Sequence, residues 1–115
     1  MQYAILIHEP AADFENREGP EADAYWAAWQ AYTQAIEQSG VMTGGAGLQP
    51  PETATTVRIR GGQRQVQDGP YAESKEQFGG FYLIDVPSLD EALEWAARCP
   101  AAPTGTVEVR PLLEM

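Results

Sequence analysis

The chain has 115 residues, 43% of them apolar and 10% aromatic, which is the composition of one ordinary globular domain spanning 1–115 and not of a disordered segment. Seventeen acids against seven bases leave a formal net charge of −10, and Lys75 is the one lysine. That balance excludes a phosphate-backbone binder, which needs clustered Lys and Arg, and argues equally against anionic membrane surfaces.

Met1-Gln2-Tyr3-Ala4-Ile5-Leu6-Ile7-His8 has no basic leader, and its apolar run is too short for a signal peptide or a membrane span. Cytoplasm is the expected location. Cys99 is the single cysteine, so no intramolecular disulfide is possible. Tyr3 to Ile7 reads as a buried first strand, ended by His8-Glu9-Pro10, because proline cannot continue a sheet ladder. Residues 9–19, rich in acids and containing Asn16, Pro10 and Gly19, read as a solvated loop.

Pro20 suits a first helical residue, and from Ala22 the positions 22, 25, 26, 29, 32, 33 and 36, apolar except for Thr33, follow the spacing of one helical face up to Gly40. That face is rich in aromatics: Tyr25, Trp26, Trp29 and Tyr32 serve either as core packing or as a platform on which a ligand stacks. A short strand at Val41 to Gly45 follows, then a Gly/Pro loop through Pro51. Thr55 to Arg60 alternates with period two, and Gly61-Gly62 offers a hairpin turn into Gln63 to Gln67, with Arg58 and Arg60 on the polar face.

Asp68-Gly69-Pro70 forces a turn. Glu73, Lys75 and Glu76 come next, with room for at most one helical turn at Ala72 to Gln77. Phe81 to Val86 is apolar except for Asp85 and reads as an interior strand. Ser88 and Glu91 match a capping box that opens a helix with Leu89, Ala92, Leu93 and Ala96 as its stripe, ended by Pro100. Thr106 to Arg110 alternates again as a last strand.

The order is β-α-β-β(-β)-β-α-β. This is the split βαβ, ferredoxin-like α+β pattern with an extra β-hairpin. Two right-handed crossovers place both helices on one face of the sheet, and the bare opposite face predicts a symmetric homodimer through sheet faces.

Metal-ligand spacings, phosphate cradles and a Gly-x-Ser-x-Gly elbow are absent, so neither a metal nor another cofactor is expected. His8, with its near-neutral ordinary pKa, and Asp68 are the candidate acid/base pair. Each also has a plain reading, His8 as a surface residue and Asp68 as a turn-former. Arg58, Arg60 and Arg110 lie on expected strands, where they pair with the chain's own acids or hold a carboxylate ligand.

Asp68-Gly69-Pro70-Tyr71-Ala72-Glu73-Ser74-Lys75-Glu76-Gln77-Phe78-Gly79-Gly80-Phe81-Tyr82 resembles the signature of the YCII-related proteins of the DGPF type, a bacterial family. The likeness extends to Thr56-Val57-Arg58, to Ala92-Leu93-Glu94-Trp95-Ala96 with Pro100, and to Gly105-Thr106-Val107-Glu108-Val109-Arg110-Pro111. It implies a ferredoxin-like fold assembled as a dimeric α/β barrel, and a cleft beside Asp68, Tyr71, Glu73 and Lys75, with Trp26, Trp29 and Arg110 as its neighbours. Arg58, from its place on an expected strand, is a further candidate ligand contact.

The wider superfamily uses a His and Asp pair and includes a dehalogenase-type activity on chlorinated ring-cleavage products. Here the corresponding positions fall near Trp29 and at Cys99, and both depart from that pattern. Many DGPF-type members resemble accessory proteins encoded beside alternative sigma factors. The resemblance thus implies a small homodimeric accessory or regulatory protein with a cleft for a small carboxylate or aromatic ligand, or else a cofactor-independent lyase, isomerase or dehalogenase-like enzyme.

Overall fold

Strand β1 (Gln2–Pro10) is the spine of a four-stranded antiparallel sheet in the order β2-β5-β1-β6 in the computed structural model, which describes residues 1–115. The other members are β2 (Met42–Gly47), β5 (Glu76–Asp85) and β6 (Thr106–Pro111). Helices α2 (Ala22–Gln38) and α3 (Leu89–Ala97) make the crossovers, and a short α1 (Ala11–Glu15) precedes α2. This is the ferredoxin-like α+β arrangement the pattern of elements predicts. No helix is long and apolar enough to cross a membrane.

Alternation along β1 sets the layers. Tyr3, Ile5 and Ile7 are buried on one face and meet Tyr32 and Ile36 of α2, Ala92 of α3, Ile84, Val86, Cys99 and Ala101 in a single core. Both helices therefore cover the same face. The opposite face carries Ala4, Leu6 and His8 of β1 beside Phe78, Phe81 and Leu83 of β5, and no helix lies over it. The Phe78 and Phe81 rings stack there, their planes nearly parallel, with centroids 6.5 Å apart.

Several boundaries differ from the sequence expectation, β2 among them, which runs over Met42–Gly47 where Val41 to Gly45 is expected. β1 runs on to Pro10, which pairs with Glu76 at the strand end, where a missing amide costs little. β5 starts at Glu76 instead of Phe81, so 72–77 holds no helical turn. Residues 11–15 form α1 where a loop is expected, and the first residue of α2 is Ala22 and not Pro20, with Glu21 at its cap. In α3 the Ser88 hydroxyl accepts from the Glu91 amide at 3.3 Å, and Ala92 and Ala96 are buried, but Leu89 and Leu93 stay about half exposed.

The extra hairpin, β3 (Thr55–Arg60) and β4 (Gln63–Asp68), forms a separate two-stranded sheet. Gly61 and Gly62, with φ of 58° and 76°, make the two-residue turn that suits its twist.

Candidate functional site

The alternation that buries Tyr3, Ile5 and Ile7 carries one residue further, onto Glu9, which is only 2% exposed. A buried carboxylate must find partners. Tyr25, from the first turn of α2, donates its hydroxyl to Glu9 Oε2 at 2.8 Å. Arg17, between α1 and α2, brings its Nη2 to 3.5 Å from Glu9 Oε1.

Arg17 is itself enclosed. Its guanidinium lies over the Phe14 ring at 4.7 Å and near the Trp26 ring at 5.7 Å, and donates to the carbonyls of Leu48 and Gly79. Its Nε is buried without a hydrogen-bond partner. The Trp26 indole N–H donates to the Arg17 carbonyl at 3.0 Å, tying α2 to the same cluster.

A local feature of β5 makes room for this cluster. The β1–β5 register slips between Ile7 and His8, so that Ile7 faces Gly80 and His8 faces Phe78 while Gly79 is the extra residue. A Cβ on Gly79 would lie 2.9 Å from Glu9 Oε1, 3.2 Å from the Phe14 ring and 3.3 Å from Arg17 Nη2. The missing side chain at Gly79 thus admits the buried ion pair, while Gly80 admits the close approach of the Ala46 and Gly47 backbone in β2.

Burial dominates the electrostatics. It raises the Glu9 pKa above the ordinary carboxylate value, against the opposing pull of the Tyr25 hydrogen bond and the Arg17 charge. Burial also pushes the Tyr25 phenol up to about 12, so Tyr25 keeps its proton and acts as a donor.

Glu9, Arg17 and Tyr25 wall a cleft of about 1360 Å³ between α2 and the β2–β5 edge of the sheet. Trp26, Trp29 and Tyr82 form its aromatic sides, and the Thr33 hydroxyl pairs with that of Tyr82 at 2.5 Å further along α2. The rim is acidic, with Glu15, Glu18, Glu37 and Glu52 against Lys75 alone. A smaller pocket of about 160 Å³ lies on the other side of Tyr25, between Glu9, Asp13, Trp29 and Thr104.

Of the residues expected from the sequence, Trp26, Trp29 and Lys75 line the cleft. The others do not. His8 sits on the helix-free face, its Nε2 3.4 Å from Glu108 Oε1, and Arg110 Nε reaches Glu108 Oε2 at 2.9 Å. Asp68 ends the hairpin, exposed, and its carboxylate accepts no hydrogen bond from the turn. Arg58 lies over the ring of Tyr71, which is 82% exposed, and Glu73 is exposed. Glu9, Arg17 and Tyr25 are therefore the central residues, and His8 and Asp68 stand on separate surfaces.

No set of three or more His, Cys, Asp and Glu side chains is grouped to hold a metal ion. The cleft chemistry within reach is proton exchange and hydrogen bonding beside aromatic faces.

The YCII-related domain model matches residues 1–115. The chain belongs to the YCII-related family. An uncharacterised protein of Rhizobium meliloti (strain 1021) is 39% identical over 114 residues, covering 97% of this chain and 92% of that one. The fold is also similar to that of 5-chloro-2-hydroxyhydroquinone dehydrochlorinase (TftG) from Burkholderia phenoliruptrix AC1100, solved in complex with 2,5-dihydroxybenzoquinone. That likeness has a TM-score of 0.58 at 16% identity and covers 100% of this chain and 96% of the dehydrochlorinase. At that identity it establishes the shared YCII-type fold and nothing about residues.

Proposed function

We propose that this YCII-related protein binds a small, uncharged, hydroxylated aromatic or quinone-like molecule in the α2 cleft and exchanges protons with it without a cofactor. The chemistry is of the lyase or isomerase type. The observation that carries this reading is the hydrogen bond from Tyr25 to a Glu9 carboxylate that is almost wholly buried at the wall of an aromatic cleft.

Tyr25 is the group a ligand meets first, because Glu9 lies behind it. A ligand hydroxyl donating to the Tyr25 oxygen loses its proton to that oxygen as the Tyr25 proton passes to Glu9 Oε2. The electron pair is left on the ligand oxygen, from which it enters the ring. The raised pKa of Glu9 makes its carboxylate a better base than an exposed one and brings its proton affinity closer to that of the ligand. Trp26 and Trp29 offer faces for stacking, and the acidic rim favours a neutral ring over a free carboxylate. The dehydrochlorinase of like fold, solved with a dihydroxybenzoquinone, supports the choice of ligand class.

A second reading is a homodimeric accessory protein whose Glu9–Arg17 pair is architectural. The two Arg17 hydrogen bonds to the carbonyls of Leu48 and Gly79 favour it. In either reading a second copy covers the helix-free sheet face.

One experiment separates the two. Hydroquinones and hydroxyquinones are titrated against the protein by tryptophan fluorescence, and ring-proton exchange into D2O is followed by NMR. Quenching together with exchange that Glu9→Gln abolishes supports the enzyme. Quenching with no exchange leaves a binding protein, and neither effect sinks the proposal.

A further inference from the structure

The β3–β4 hairpin is built unlike the rest of the molecule. Val57 pairs directly with Val66, and Ile59 continues the same face, so three large apolar side chains form one surface of the ribbon. They are 56%, 54% and 60% exposed respectively. Of the twelve strand residues all but Thr56 are exposed.

The hydrogen bonds of the ribbon stay within it or at its root: Thr56 Oγ1 donates to the Gln67 carbonyl at 3.2 Å and the Gly69 amide to that of Ala54 at 2.7 Å. A lone two-stranded hairpin with one apolar face is at best marginally stable in water. The shape agrees: the radius of gyration is 15.9 Å and the extents are 47 × 45 × 19 Å, where a compact chain of this length has a radius of about 13 Å.

Charge says what covers it. Residues 55–68 hold Arg58, Arg60 and Arg64 against Asp68 alone, a net +2, while the rest of the chain holds sixteen acids and four bases, a net −12. The segment 15–23 is dense in exposed acids, Glu15, Glu18, Glu21 and Asp23, and its one base, Arg17, is turned inward onto Glu9. A polyanion such as nucleic acid, or an anionic membrane, would be repelled by the body beside the ribbon. An identical chain offers the complementary charge at matched stoichiometry, and a two-fold axis makes the contact twice.

We propose that the hairpin is an arm that clasps a second copy of this chain, laying its Val57, Ile59 and Val66 face and its arginines against the acidic 15–23 segment of the partner. Glu15 and Glu18 also line the cleft rim, so each arm would border the cleft of the other copy. The inference is independent of what that cleft binds.

The test needs no ligand and uses the full chain: the dimer dissociation constant is measured by sedimentation equilibrium at about 50 mM and about 500 mM salt. Wild type is expected to be dimeric and to weaken with salt. The exposed triple variant R58E/R60E/R64E should keep the wild-type circular dichroism spectrum, dimerise at least about tenfold more weakly at low salt and no longer weaken as salt is added. Adding E15R/E18R/E21R to it should restore association. A photo-crosslinking residue in place of Ile59, in mixed light and 15N-labelled protein, should yield inter-chain adducts at 15–23. A wild type that is monomeric at low salt overturns the proposal. So do a charge-reversed dimer of unchanged strength, as contact through the sheet faces alone would give, a failure of the swapped charges to rescue, and adducts confined to one chain.

Discussion

Tyr25 donates its hydroxyl to Glu9 Oε2 at 2.8 Å, joining the first long helix to the central strand inside the wall of the cleft. The bond serves two ends. It stabilises a carboxylate that burial disfavours, and it holds α2 at a fixed distance from β1, so the width of the cleft depends on it.

Tyr25→Phe tests both roles at once. The ring stays and the donor is lost, leaving a buried carboxylate oxygen short of a partner, which costs about 1–3 kcal/mol. Because that hydrogen bond lowers the Glu9 pKa, its removal should raise the pKa further. Urea unfolding measures the first effect and the 13C carboxyl titration of Glu9 the second. A variant as stable as wild type with an unmoved titration would mean that water replaces the hydroxyl.

The pH dependence of stability follows from the same carboxylate. Folding raises the Glu9 pKa above the ordinary value of 4.5, so the folded chain holds this proton more tightly than the unfolded one. The resulting stability is complete below about pH 4.5 and is lost as pH rises through the folded value. Glu9→Gln carries a permanently neutral group and escapes that loss. The stability difference, variant minus wild type, should therefore move in favour of the variant with rising pH and then level off. The opposite slope would show that Arg17 and Tyr25 together outweigh the cost of burial.

Gly79→Ala should be costly for a reason internal to the site. The added methyl meets Glu9 Oε1 at 2.9 Å and is hemmed by Phe14 and Arg17. Overpacking of this kind costs about 1–3 kcal/mol. Gly47→Ala, where a Cβ meets nothing within 4 Å, is the control on the neighbouring strand. Equal thermal denaturation midpoints for the two variants would contradict the account of the bulge.

The course of the chain was largely legible in its periodicities, but the centre of the site was not. The aromatic stripe of α2, the Ser88 cap and the Gly61-Gly62 turn each signal themselves locally, and all three are present. Glu9 was hidden because a carboxylate next to Pro10 in an acid-rich stretch reads as solvated. Its one signal was phase: it continues the period-two series of Tyr3, Ile5 and Ile7. Arg17, the single base among residues 9–23, was the other half of the signal. Asp68 and Tyr71 attract attention because the turn is so well marked, yet the ribbon carries that turn away from α2, which no local pattern shows. Leu89 and Leu93 miss the core because Ala92 and Ala96 bring α3 close to the sheet on the neighbouring arc of the helix.

Cys99 gives the last prediction. The thiol is buried in the core cluster at 1% exposure, and burial pushes its pKa up to about 11. Both effects keep the nucleophilic thiolate scarce at neutral pH. Ellman's reagent should therefore modify native protein only at the rate at which the core opens, and should react at once in urea. Because Cys99 packs with Ile5, Ile36 and Ile84 in the core on which β1 and α2 close, the native rate also reports opening of the Glu9 wall. Tyr25→Phe and Gly79→Ala, which weaken that wall, should speed the labelling in proportion to their loss of stability, whereas Gly47→Ala should leave it unchanged. Fast modification of the native wild-type chain would show that α2 opens away from the sheet far more often than its packing implies.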